Sequence, residues 1–242
     1  MAELRVLIAA GGRGVRAGLP YPKTLYPVQG KPILVRIHEL LVGLDSSPTV
    51  IVSALGLTDV EVCLNRHGLA AHLVVQERPL GMGDAVMQFR ASPAFEAAED
   101  VLLVWGDIPF IQPQTVSAMV EAHRKAVNDF TLATRVVDSA YTVVSRDSHG
   151  KLLRVVETRE HAGMTPLAGE RDIGLFVFRK KPVFDLLQLD LPGKFGSVTG
   201  DFGFLYVIEH LVNRGFRVDG VPVATELDLV SLNSMKDIES FL

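Results

Sequence analysis

Residues 6–23 read VLIAAGGRGVRAGLPYPK: an apolar run, then a glycine-rich turn carrying Arg13 and Arg16, then a proline-punctuated stretch ending at Lys23. A glycine turn directly after a strand-like run is where a backbone closes around phosphate. Which kind of phosphate loop this is decides the fold. Gly12 to Ala17 satisfies the GxGxxA spacing of a dinucleotide-binding turn. Such a turn must open a helix, so that its first amides face the pyrophosphate, and Pro20, Pro22 and Pro27 forbid a helix there. A Walker A loop needs GKS or GKT at its end, and neither follows. There remains a non-helical loop whose amides wrap a nucleoside triphosphate, with Arg13, Arg16 and Lys23 neutralising it. The alternative, a solvated charged loop, gives no reason for the run of small residues ahead of the cations.

Outward from this loop, strand-like stretches at 5–9, 49–54, 72–76 and 101–105 alternate with helical periodicity at 32–44, 57–67 and 81–95. That alternation predicts a parallel, doubly wound sheet whose ligands sit beyond the carboxyl ends of the strands. The loops at those ends, AAGGRGVR, QERPLGMGD and GDIP, are rich in glycine or charge, as a phosphate-bearing ligand requires. Beyond residue 129 the pattern shifts to strands at 130–137, 141–147, 151–157 and 172–178, which predicts an antiparallel or mixed part of the sheet. Helices at 181–187 and 201–214, a strand at 216–223 and a last helix from Ser234 complete the chain. The expected fold class is α/β, Rossmann-like, with a mixed, mostly parallel central sheet flanked by helices. No linker or repeat divides the chain, so residues 1–242 are read as one domain, with a nucleotide-binding half (1–128) and an acceptor-binding half (129–242).

Composition narrows the function. A hydrophobic share of 48% over 242 residues supplies a core. A net charge of −4 gives no attraction for nucleic acid. The N-terminal run is broken by glycine and resembles neither a signal peptide nor a membrane span, so a cytoplasmic location is expected. The single cysteine, Cys63, rules out an intramolecular disulfide and a multi-thiolate zinc site, and it is expected to be a buried structural thiol. None of the seven histidines stands at metal-ligand spacing, and each is expected at the surface or at a helix cap.

Four stretches then agree in order and spacing with one family. AGGRGVRAGLPYPK resembles the GGxGTR…PK signature of sugar-nucleotide nucleotidyltransferases. LYPVQGKPIL (25–34) is similar to their LxPVxGKPxL, QERPLGMGDAV (76–86) to QxxxLGTGxA, and VLLVWGDIPFI (101–111) to VLxLxGDVPLI. Within the family the resemblance is strongest to the uridylyltransferase domain of bifunctional N-acetylglucosamine-1-phosphate uridylyltransferase/glucosamine-1-phosphate acetyltransferases. The chain carries no hexapeptide repeats, so their acetyltransferase half is expected to be absent. The resemblance implies transfer of a nucleotidyl group from an NTP, with UTP or dTTP favoured, to a sugar 1-phosphate with release of pyrophosphate.

It also implies roles. Arg16 and Lys23 are the catalytic cations. Ala10, Gly11, Gly12, Arg13 and Gly14, with Gln76 and Gly81, bind the nucleotide. Gln76 ends a strand and can offer a donor and an acceptor to a pyrimidine edge; the plainer alternative is a strand-end polar residue in water. Asp107 follows a strand directly between Gly106 and Ile108-Pro109 and suits Mg2+, which takes few protein oxygens and keeps phosphates and waters. The resemblance makes Asn233 the second metal ligand, although a helix cap would serve that position equally well.

On the acceptor side the match thins. Tyr141-Thr142-Val143 replaces YGR, Asp172-Ile173-Gly174 replaces NTG, and Phe204-Leu205-Tyr206 stands for YLTD, while Glu157 in RVVET is kept. Thr142, Glu157 and Asp172 are the candidate acceptor-binding residues. A site that loses several polar partners does not keep its substrate, so the acceptor is expected to differ from N-acetylglucosamine 1-phosphate. Val15 for Thr, Met82 for Thr and Asp84 for a small residue or His are further departures. Two other functions compete: a cytidylyltransferase acting on a polyol or other phosphate, and a catalytically weak nucleotide- or nucleotide-sugar-binding sensor or subunit.

Overall fold

The apolar run that opens the chain becomes the centre of a sheet. The computed structural model describes residues 3–12, 14, 17–160 and 167–239. In chain order they form β1 (Leu4–Ala9), β2 (Pro27–Val28), β3 (Lys31–Pro32), α1 (Ile33–Leu41), β4 (Thr49–Ser53), α2 (Leu57–Arg66), β5 (His72–Gln76), α3 (Met82–Met87) and β6 (Asp100–Trp105). There follow α4 (Pro113–Ala126), β7 (Phe130–Ala140), β8 (Thr142–Arg146), β9 (Leu152–Glu157), β10 (Leu167–Arg179), α5 (Lys180–Gln188), α6 (Tyr206–Asn213) and β11 (Val218–Val221).

Seven strands form one sheet in the order β11-β7-β10-β6-β1-β4-β5. β1 is parallel to β4 and β6, β4 to β5, and β11 to β7. β10 alone runs antiparallel, wedged between β6 and β7. The fold is the mixed, mostly parallel α/β sheet that the sequence predicts. Its central strands β1, β4 and β6 are buried on both faces, which is why they read as nearly unbroken apolar runs. Successive side chains point to opposite faces. Val6 and Ile8 join Val52 and Val104 beneath α1, α2 and α4. Leu7 joins Ile51 and Leu103 beneath α3, α5 and α6. Burying one such side chain contributes roughly 1.5–3 kcal/mol.

No α-helix follows the glycine loop. Lys23–Leu25 form a single 3₁₀ turn, and the chain folds back so that Lys23 N–H donates to Gly12 O at 3.2 Å. A Cβ on Gly12 would lie 2.7 Å from Lys23 Cε, so glycine there leaves the lysine stem its path.

Several expectations need correction. The helix expected at 81–95 is α-helical only over Met82–Met87 and ends in a 3₁₀ turn at Ala91. Pro93 pushes Ser92 into the extended region, which stops it. The helix expected from 201 begins at Tyr206, because Phe202 is taken into backbone bonds with Leu80 and Gly83. The last helix is a 3₁₀ turn, Met235–Asp237, closed by a Ser234/Asp237 capping box. Two histidines are core residues rather than surface ones. His38 Nε2 bonds Ala70 O at 2.6 Å, and His123 Nδ1 bonds Thr131 Oγ1 at 2.9 Å, each nearly solvent-free. Cys63 is half-buried on α2 rather than enclosed, and that burial raises its thiol pKa while Arg66 lowers it.

Candidate active site

A cleft of about 550 Å³ opens at the carboxyl ends of β1, β5 and β6, where a parallel sheet presents its loops. Gly11, Gly12 and Lys23 line it from the first loop, Gln76 and Gly81 from the second, and Asp107 from the third. Ala10 lies buried beneath this wall, its N–H donating to Ile51 O at 2.8 Å. Gly14, with φ +74°, makes the turn that returns the chain, since a Cβ there would meet Tyr21 O at 2.7 Å. Arg13, Val15 and the expected catalytic Arg16 lie outside the described residues.

Asp107 is nearly solvent-free at the cleft floor. Its Oδ2 is ion-paired with Lys23 Nζ, 84 residues away in the chain. Its buried Oδ1 has no hydrogen-bond partner among the described residues. The strand end carrying it is pinned: Gly106 N–H donates to Ala9 O at 2.9 Å, and a Cβ on Gly106 would come within 3.0 Å of the Ala10 backbone. Asp107 O in turn accepts Leu232 N–H at 2.9 Å, which hangs the segment with Ser231 and Asn233 over the same cleft. Asn233 Nδ2 donates to Ser231 Oγ at 3.0 Å, while Ser234 takes the capping role. Asp107 and Asn233 line the same cleft, and among the described residues no group of three or more His, Cys, Asp or Glu side chains is placed to hold a metal ion.

These strands, this loop order and this cleft have known counterparts. The family profile described as "MobA-like NTP transferase domain" matches residues 6–173, more than two thirds of the chain. The chain belongs to this family. The chain is 28% identical over 229 residues to the bifunctional protein GlmU of Carboxydothermus hydrogenoformans, covering 94% of this chain and 49% of that protein. It thus spans about half the length of the curated relatives it matches. Among solved structures it resembles the inositol-1-phosphate CTP transferase from T. maritima (TM-score 0.71, 20% identity, 99% of this chain and 92% of that one). It also resembles a UDP-glucose pyrophosphorylase complexed with UDP-glucose (TM-score 0.68, 17% identity, 92% and 90%). These two likenesses concern the fold. Among the described residues, no helix is long and apolar enough to cross a membrane.

The opposite side of the cleft is built by β8, β9 and the 201–205 loop. Thr142 and Glu157 line it, but Asp172 does not: it sits fully buried behind Thr142, whose Oγ1 donates to Asp172 Oδ2 at 3.0 Å. Glu157 is ion-paired with Arg159 at 3.0 Å, and its carboxyl is raised by burial, against the lowering effect of Arg159. Trp105, Tyr141, Asp201 and Phe202 also line the cleft and were not singled out from sequence. Trp105 had a local signal, the sole tryptophan placed at a strand end directly before Gly106-Asp107. Phe202 had none, because its place depends on the far-off LGMG loop. Its N–H donates to Leu80 O at 2.7 Å and its O accepts Gly83 N–H at 2.9 Å.

Burial pushes the Asp172 carboxyl up to about 6, against the opposing effects of the Arg171 charge and the Thr142 hydrogen bond. The folded chain therefore holds this proton more tightly than the unfolded one, and the group costs stability progressively as pH rises from about 4 to about 6. Asp172→Asn removes the titration. The stability of the variant relative to the parent is expected to grow by up to about 3 kcal/mol between pH 4 and pH 7, read by urea unfolding at each pH. A difference that does not vary with pH would contradict this.

Proposed function

We propose that the cleft joins an NTP, UTP or dTTP, to a sugar 1-phosphate other than N-acetylglucosamine 1-phosphate and releases pyrophosphate. The observation that carries this reading is the Lys23–Asp107 pair at the floor of one cleft, with glycine-loop amides on one side and the Thr142/Glu157 wall on the other. Residues 1–128 form the nucleotide-binding half of one domain and residues 129–242 the acceptor-binding half. A sugar-phosphate oxygen attacks the α-phosphorus as the bond from that phosphorus to the β-phosphate oxygen breaks, so no protein nucleophile is needed. Lys23 holds the α-phosphate and the incoming phosphate together, and the family resemblance assigns Arg16 the charge of the β- and γ-phosphates. Thr142 and Glu157 bind the acceptor, and Asp172 acts on it through Thr142. Asp107 and Asn233 are the residues that would hold Mg2+, which would supply positive charge against the phosphates. The substrates are small and anionic, neither nucleic acid nor membrane being required, and the reaction is assigned to the cytoplasm.

The test is pyrophosphate release from purified protein across UTP, dTTP, CTP, GTP and ATP, each with a panel of sugar and polyol phosphates and Mg2+. Release is expected with UTP or dTTP and one sugar phosphate, and N-acetylglucosamine 1-phosphate is expected to be a poor acceptor. Tight NTP binding without turnover for any pair would sink the reading in favour of a nucleotide sensor.

A further inference from the structure

Gln76 does not face the cleft as a free amide. One Nε2 proton goes to Asp84 Oδ2 at 2.7 Å and Nε2 also donates to Gly81 O at 3.1 Å. With both protons used, Oε1 is all that Gln76 can present. It lies over Gly11, where a Cβ would come to 3.0 Å of it. The two anchors are unequal. Gly81 O is shared with Ala85 N–H at 3.1 Å, whereas Asp84 makes the shorter bond, with a carboxylate as acceptor. Asp84 is itself held, its Oδ1 accepting from Gln88 Nε2 at 3.2 Å. A rotated amide would set Oε1 against the carboxylate and the carbonyl together.

We infer that Asp84 is a positioning residue that locks Gln76 as a pure acceptor, so that the nucleotide site demands an N–H donor from the base and reads the imide of uracil or thymine. The inference rests on the nucleotidyltransferase reading above. The Gly81 N–H, on the same cleft wall and bonded to no described residue, is free to donate to an imide carbonyl of the base. An N–H lost to methylation leaves Oε1 buried without a partner, and the methyl group occupies its space.

Calorimetric titration with UTP, 3-methyl-UTP and CTP, each with Mg2+, tests this in the parent protein, Asp84→Ala and Asp84→Asn. The parent is expected to bind UTP at least about tenfold more tightly than either analogue. In Asp84→Ala the ratio of UTP to 3-methyl-UTP affinity is expected to fall to within about threefold of one, because the amide is free to turn. Asp84→Asn keeps an oxygen acceptor for Nε2 and is expected to retain most of the ratio, which a loss of structure would not do. Equal binding of UTP and 3-methyl-UTP by the parent, tighter binding of CTP, or an undiminished ratio in Asp84→Ala would overturn the inference while leaving nucleotide transfer standing. Absence of binding by all three nucleotides and by dTTP would overturn both.

Discussion

Asp107→Asn is expected to lower turnover by about 10²–10³-fold, the range that follows loss of one preorganised charge-stabilising group. The substitution keeps the shape of the side chain and removes its charge. The parent carboxylate answers the Lys23 ammonium with one oxygen and leaves the other buried and without a described partner. An amide holds neither the lysine nor a divalent cation as firmly. Half-buried ion pairs that lose one member strand the other, so Lys23 is also expected to leave its present position. Binding of the triphosphate in the absence of metal should change little or tighten slightly, since a negative charge near the phosphates is gone. The check is kcat and KM for both substrates beside a metal-free dissociation constant. Turnover within tenfold of the parent would show that Asp107 is not the oxygen that holds the metal.

Gly83→Ala is expected to destabilise the fold by about 3 kcal/mol, near the upper range for forcing a methyl group into filled space. Gly83 is the second residue of α3, and helix propensity alone favours alanine there by about 1 kcal/mol. Packing dictates the opposite sign. A Cβ on Gly83 would stand 2.1 Å from Gly203 O and 2.5 Å from the Phe202 ring, and the first of these contacts is backbone. The Gly83 N–H bond to Phe202 O is the staple that must open to relieve it. For a chain of this length the melting temperature should drop by roughly 6–12 °C, followed by circular dichroism. Gly43→Ala, with nothing within 4 Å of its added Cβ, is the control expected to stay near the parent value. A rise in melting temperature for Gly83→Ala would mean that the 202–203 loop yields freely.

What could be read from the chain in advance follows a physical divide. Strands β1, β4, β5 and β6 were legible within a residue or so of their ends, because burial on both faces leaves a continuous apolar signature. The absence of a helix after the glycine loop was legible because proline acts on its own backbone. The mixed sheet was legible from the loss of intervening helices after residue 129. Pairings across long stretches of chain were not. Nothing near Lys23 announces Asp107, nothing near Gly83 announces Phe202, and the burial of His38 and His123 depends on carbonyls and hydroxyls that other elements bring to them. Asp84 was visible only as a departure from a motif. Its bond to Gln76 links a strand end to the first turn of α3, and that geometry has no pattern of its own in sequence.

β10 has a consequence for how such a protein changes its substrate over generations. The strand belongs to the second half of the chain, yet it fills the gap between β6 of the first half and β7 of the second, paired with β7 over most of its length and with β6 over Leu175 to Arg179. Exchanging the acceptor half wholesale would tear a buried strand from the middle of the sheet and leave the row of backbone groups on β6 without partners. Under the proposed function, a new acceptor would therefore arrive by local revision, in the β8–β9 ribbon and the stapled 201–205 loop, while the strand that joins the two halves of the chain stays fixed. Thr142 and Phe204 differ from the family pattern at the cleft wall, and on β10 the departure at Asp172 falls in the stretch paired with β7, whereas Leu175 to Phe178, paired with β6, are hydrophobic core.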